Sequence, residues 1–301
     1  MCVKPLTDEY NDCVQYLADL TREIASGSAP AITWLRRGGC LQMLRDLAGA
    51  VRDYDRAIAR GQELSAQELA QVYDSRNVCR RQLSDFGGAI TDGEQAVALH
   101  PEMARYHANL GFARMWAGDP TAGIVDLTQA LDLDPQEYWA LGYRGMCYQR
   151  IGAHEQAIAD FNRLLVDPAT SYFILLSRAD SYVSLEQFDL AIADCDAAAM
   201  RAGEIDEDYR IYTLRGYCHL RLGELDTALG DLARAVALGS DEPEVHLWRG
   251  LIYRAIGDES AAADDLAVFA TRHPRGAAAA FQRIALAMEL PFSIALADSI
   301  A

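Results

Sequence analysis

The chain has 301 residues, 51% of them hydrophobic and 24% charged, a balance that excludes a disordered chain. Its formal net charge is −17 and Lys4 is its only lysine, which argues against nucleic acid as a partner, because polyphosphate would be repelled. No apolar run is long enough to span a membrane and no basic, then apolar, leader opens the sequence, so a cytoplasmic location is expected.

In chain order, Tyr10, Val14, Leu17, Leu20 and Ile24 recur at helical spacing and predict a leading helix over 7–25, ended by the break at 26–30. Beyond it, one pattern returns. Gly111-Phe112, Gly145-Met146, Ala179-Asp180, Gly216-Tyr217 and Gly250-Leu251 mark the same place in successive repeats, at spacings of 34, 34, 37 and 34 residues. Extended backwards through Asn77 and Gly38, the frame gives seven repeats that start at Ala31, Ala70, Ala104, Tyr138, Tyr172, Tyr209 and Pro243. A longer link is expected at 61–69, and three extra residues fall near 203–208. An alanine-rich capping helix is expected over 276–289, followed by an apolar tail at 291–301. The chain thus divides into a leading segment 1–30, repeats over 31–274, and a cap with tail over 275–301.

Several places in the repeat agree independently. The twentieth is small (Ala50, Ala89, Gly123, Ala157, Ala191, Ala228, Ala262), and the fifteenth is a turn glycine in Gly118, Gly152, Gly223 and Gly257. Proline closes repeats at Pro101, Pro135, Pro168 and Pro274. Each repeat therefore reads as helix, turn, helix and break. Small residues at the eighth and twentieth places let the two helices approach closely, and the hairpin hides its apolar face only by stacking on the next. The pattern resembles the tetratricopeptide-repeat family, most fully in Trp139-Ala140-Leu141-Gly142-Tyr143-Arg144-Gly145 with Tyr148, Gly152, Ala157 and Phe161. The resemblance implies an all-α, right-handed α-solenoid of about seven helix-turn-helix units with a leading and a capping helix.

No catalytic motif is present: no G-x-S-x-G, no phosphate-binding glycine-lysine loop, no H-E-x-x-H and no dinucleotide fingerprint. An enzyme is not expected, nor is a cofactor. The seven cysteines include no C-x-x-C pair or zinc-ligand spacing, so no metal site is expected. Cys40, Cys79, Cys147 and Cys218 share the tenth place, a packing slot. The seventh place is arginine in Arg37, Arg76, Arg144, Arg178, Arg215 and Arg249, with Leu110 the exception, and the twenty-third is aspartate in Asp53, Asp92, Asp126, Asp160, Asp194, Asp231 and Asp265. These charges are expected to pair between helices and to be structural.

By the resemblance, the second, fifth, sixth, ninth, twelfth and thirteenth places of each first helix face a concave groove. They carry seven arginines against Asp74, Asp180 and Glu244, a local charge of +4 that leaves −21 for the rest of the chain. Arg36 is the one of these arginines outside the partner-binding set. The partner-binding set is Arg81, Arg105, Asn109, Phe112, Trp116, Trp139, Tyr143, Met146, Arg150, Phe173, Arg210, Tyr217, Arg221, Trp248 and Arg254. Arginine and large rings are the residue types of binding hot spots, and they suit a protein or peptide partner with acidic and apolar anchors. Two specialised versions of the family do not fit: the Lys/Asn clamp for a terminal carboxylate lacks its lysines, and the asparagine ladder has only Asn109 at the sixth place. The expected function is a scaffold or adaptor that holds a partner in this groove. The alternatives are self-assembly through end faces or the tail, and a regulatory sensor that responds to a bound peptide or ligand.

Overall fold

The computed structural model describes residues 8–167, 171–203 and 208–272. The expected capping helix and apolar tail lie outside them. The described residues form helices and connecting turns, with no strand among them. A leading helix α1 (Asp8–Ala25) precedes seven helix pairs: α2 (Ala31–Met43) with α3 (Leu47–Ala59), α4 (Ala66–Gln82) with α5 (Phe86–Leu99), α6 (Ala104–Trp116) with α7 (Pro120–Leu133), and α8 (Tyr138–Arg150) with α9 (His154–Leu164). The last three are α10 (Tyr172–Ser184) with α11 (Phe188–Ala202), α12 (Tyr209–Arg221) with α13 (Leu225–Ala237), and α14 (Pro243–Ala255) with α15 (Glu259–Arg272). This is an α-solenoid of hairpin repeats. The chain divides into two compact units, the first ending at Asp160 and the second beginning at Phe161.

Six first helices start on the residue the sequence frame marks; the exception is α4, which starts at Ala66 rather than Ala70. The expected link at 61–69 is therefore shorter, and its end is a first helical turn. Ser65 caps that turn: its hydroxyl accepts from the Glu68 amide at 3.2 Å while the Glu68 carboxylate accepts from the Ser65 amide at 2.8 Å. This reciprocal pair satisfies two amides that a helix start leaves open.

The turn inside each hairpin takes the left-handed conformation at the fifteenth place in every repeat. Gly118, Gly152, Gly223 and Gly257 do so with φ between 76° and 94°, and Arg45, Ser84 and Glu186 do so at φ 67°, 63° and 57°. Aspartate next to the turn often caps the second helix; Asp46, Asp85, Asp119 and Asp258 accept from the amides of Gly49, Gly88, Ala122 and Ala261.

Within a hairpin, the eighth and twenty-fourth places trade size. A methyl group on Gly38 would meet Tyr54 at 2.6 Å, on Gly111 Leu127 at 2.7 Å, on Gly216 Leu232 at 2.9 Å and on Gly250 Leu266 at 3.0 Å. Where the eighth place is larger, the other shrinks. Asn77 faces Gly93, whose added methyl would meet its amide nitrogen at 3.1 Å, and Asn77 donates to the Ala89 carbonyl at 2.6 Å. The space over Gly93 is filled from the next repeat by Leu110, also 3.1 Å from that methyl position. Asn77, Gly93 and Leu110, three departures from the repeat pattern, are thus one packing solution.

The seventh-place arginines pair with the twenty-third-place aspartates in the same repeat. In Arg37–Asp53, Arg76–Asp92, Arg144–Asp160, Arg178–Asp194, Arg215–Asp231 and Arg249–Asp265, two guanidinium nitrogens meet both carboxylate oxygens at 2.5–2.9 Å. Such a two-toothed pair is strong and directional. The third nitrogen often reaches the twenty-fifth place of the preceding repeat: Arg76 to Asp55, Arg144 to Thr128, Arg178 to Asn162 and Arg215 to Asp196. One side chain thereby ties a hairpin together and ties it to its neighbour. Leu110 makes no such bond, so Asp126 is served by Arg114 at 2.7 Å.

The cysteines at the tenth place are buried and unpaired, as are Cys13 and Cys195. Burial pushes the Cys79 thiol up to about 11 and those of Cys147 and Cys218 up to about 12. At neutral pH they are packing groups rather than nucleophiles. No group of three or more potential metal ligands occurs among the described residues. No helix among them is long and apolar enough to cross a membrane.

Candidate functional site

In the first unit, the first helices α4, α6 and α8 are neighbours and present their side chains on one face. Six of the expected groove residues meet there through their rings and guanidinium groups. The Phe112 and Tyr143 ring centres are 4.1 Å apart, Phe112 and Trp116 are 6.2 Å apart, and Trp139 stacks on Tyr143 at 6.3 Å. The Arg81 guanidinium lies 4.2 Å from the centre of the Phe112 ring, and that of Arg150 lies 4.9 Å from Trp116. Both separations are within the range of cation–π attraction. Trp116 and Trp139 remain 44% and 72% exposed, so these rings are not absorbed by packing between helices.

A short polar chain fixes the floor. Asp74 is buried, and it accepts from the Asn109 amide at 2.7 Å and lies 3.2 Å from Arg105. With its amide nitrogen so engaged, Asn109 turns its oxygen to Arg81, whose Nη2 donates to it at 3.0 Å. Burial raises the Asp74 carboxyl above the ordinary carboxylate range, with Asn109 and Arg105 opposing the shift. Burial likewise lowers Arg81 and raises the Tyr143 phenol. Asp74 holds one of the expected groove places, but its carboxylate is enclosed and already bonded.

Arg81, Gln82, Phe86, Phe112, Trp116 and Tyr143 line a cavity of about 430 Å³. Phe86 was missed by the sequence reading, which considered first helices only. It opens α5, and its ring stacks against Trp116 at 6.4 Å. The seventeenth place holds a second phenylalanine, Phe188, and that recurrence was the available signal. Met146 is half-buried on α8.

The second unit carries a separate cluster. Tyr217 lies 4.8 Å from Trp248 and 6.5 Å from Phe188, and Arg221 lies 4.8 Å from Phe188. Phe173, exposed, has the Arg210 guanidinium 4.9 Å from its ring centre. Here the arginines have carboxylates: Arg221 has Glu186 at 3.2 Å, Arg210 has Asp208 at 2.5 Å, and Arg254 has Glu259 at 3.5 Å.

Hairpins stacked so that neighbouring first helices display rings and guanidinium groups define a helical repeat protein. The chain belongs to the tetratricopeptide-repeat family, whose profile matches residues 113–172, 176–243 and 223–277. Solved structures agree on the fold. A tetratricopeptide-repeat protein from Parabacteroides merdae is 17% identical, with 81% of this chain and 93% of that one covered and a TM-score of 0.58. The Cut9–Hcn1 hetero-tetramer of APC/C is also 17% identical, with a TM-score of 0.64 over 81% of this chain and 46% of that one. YrrB, described as a tetratricopeptide-repeat protein with an unusual peptide-binding site, is 19% identical, with a TM-score of 0.50 over 60% of this chain and 92% of that one. Comparison with curated proteins finds no match.

Proposed function

We propose that this chain is a non-enzymatic scaffold that holds a partner protein through the face built by α4, α6 and α8. The observation that carries the reading is the aromatic cluster of Phe112, Trp116, Trp139 and Tyr143, with Trp139 72% exposed and Arg81 and Arg150 set against its rings. A ring set in water at this density is a cost to a protein that does not cover it, and rings with arginine are the usual anchors of interfaces. Peptide binding by YrrB and the Cut9–Hcn1 assembly lend the reading support by analogy of fold. The six cysteines among the described residues, all buried and unpaired, suit a reducing compartment, which supports a cytoplasmic location.

The test is affinity capture with the intact protein against a variant carrying Trp116→Ala, Trp139→Ala and Tyr143→Ala. The helical signal and thermal midpoint serve as the folding control. Capture that is lost while folding is kept supports the face; capture that is unchanged moves the site elsewhere.

A further inference from the structure

Two of the seven arginines on α4, α6 and α8 differ from the other five. Each ladder arginine there has an aspartate, and Arg80, Arg105 and Arg114 have carboxylates as well. Arg81 and Arg150 have no carboxylate within ion-pair distance among the described residues. Arg81 is half-buried, with its Nη2 on the Asn109 amide and its Nε enclosed without a hydrogen-bond partner. The nearest acid, Asp74, is already held by Asn109 and Arg105. Arg150 spends one nitrogen on the Met115 carbonyl at 2.9 Å. Removing a cation from water without an anion is costly, and the fall in the Arg81 pKa reflects that cost.

The two guanidinium groups bracket the rings of Phe112 and Trp116. The three centre-to-centre separations laid end to end reach about 15 Å, so the two guanidinium groups are no farther apart than four or five extended residues span. We propose that this cup receives an internal acidic segment of a partner protein, in which two carboxylate side chains flank one large apolar side chain. Arg81 takes one carboxylate, Arg150 takes the other, and the apolar group settles on Phe112, Trp116 and Tyr143. Two separated cations call for two anions, whereas a chain terminus supplies one, so side-chain carboxylates are the better match. Rings beside arginines also suit single-stranded nucleic acid, but a chain of −17 repels polyphosphate. Asn109 acts as a positioning residue, since its bond to Asp74 decides which way its amide faces Arg81.

This inference rests on the binding-face reading, and the experiment separates the two. The intact protein selects from displayed random peptides of about twelve residues, enough to cross the cup in extended form. Enriched sequences are expected to carry two acidic residues three to five positions apart with an aromatic or large aliphatic residue between. A synthetic representative, acetylated and amidated, should weaken about tenfold or more with Arg81→Gln, with Arg150→Gln, and with glutamine in place of its own acids. Arg81→Lys should recover only part of the loss, because it restores charge without the fork. The Arg81→Gln protein should melt no lower than the wild type, which distinguishes a binding role from a structural one. Enrichment that depends on Trp116 but shows no acidic bias overturns this inference and leaves the binding face. Absence of any enrichment overturns both. Tighter binding of an oligouridylate than of the selected peptide overturns it in favour of phosphate.

Discussion

Asp194→Ala offers the cleanest test of the arginine–aspartate ladder. Asp194 is 5% exposed and accepts from Arg178 Nε at 2.8 Å and Nη2 at 2.5 Å. Asp53, Asp92 and Asp265 each have a further basic neighbour, Arg56, Arg80 or His246, that would share the damage. Without Asp194, Arg178 keeps the neutral oxygen of Asn162 and the face of the Tyr182 ring, neither of them an anion. Breaking a buried pair from one side costs about 3–5 kcal/mol, because the surviving charge stays out of water. At about 2–4 °C per kcal/mol, the lower figure is a fall of roughly 6–12 °C in thermal midpoint, read by circular dichroism. The companion variant Arg178→Met with Asp194→Leu removes both charges and should recover most of the loss, since a buried pair and an apolar pair of similar volume are nearly equivalent. A single variant within about 1 kcal/mol of wild type, or a double variant as unstable as the two singles added, would show the ladder to be a surface ornament.

Asp126 should behave in the opposite way. Its carboxyl is held above the ordinary range by burial, against Arg114, so its favourable contribution is full only when it is protonated. Stability from this group is lost as pH rises from the ordinary carboxylate pKa through the raised one, and is flat above. Asp126→Asn should remove that slope and match or exceed wild-type stability at neutral pH, as shown by urea midpoints across the acid range. Ser84→Gly relieves a left-handed non-glycine residue at φ 63° and should add about 1 kcal/mol in the same assay. Gly111→Ala should cost about 1–3 kcal/mol, because its methyl would sit 2.7 Å from Leu127 and 2.9 Å from the Gly123 carbonyl. Gly230→Ala, with nothing within 4 Å, should instead gain about 0.5–1 kcal/mol. Equal effects at the two glycines would show that close helix approach does not explain the small residue at the eighth place.

What the sequence made legible was whatever each repeat needs separately. Stacking forces the same demand on every hairpin, so the demand is written seven times. That is why helix starts such as Ala104, Tyr138, Tyr172, Tyr209 and Pro243 could be read from the frame. Adjustments spanning two repeats were less legible. Asn77 and Leu110 look like separate lapses until Gly93 is seen to connect them, and no periodicity announces a contact that occurs once. The capping box of Ser65 and Glu68 was local and visible in principle, but a frame of 34 residues pointed past it to Ala70. Phe86 was hidden for a related reason, since it reaches the cup from a second helix while the family's usual groove places are all on first helices.

The arginines show how one residue type can divide its labour with few clues in composition. At the seventh place the guanidinium is met by an aspartate 16 residues later, and its charge is used up inside the repeat. The Arg81 guanidinium, five places on from Arg76 of the Arg76–Asp92 pair, has a ring, an amide oxygen and an enclosed nitrogen that nothing answers. Both positions count equally towards the chain's basic total, yet the first stabilises the hairpin and the second burdens it. A stability cost concentrated on one face, beside exposed tryptophans, is the physical mark of a surface completed by something outside the chain. On that argument the search for a partner belongs on α4, α6 and α8, where charge remains unanswered. The ladder, however regular, is the wrong place to look, because every carboxylate in it is already occupied.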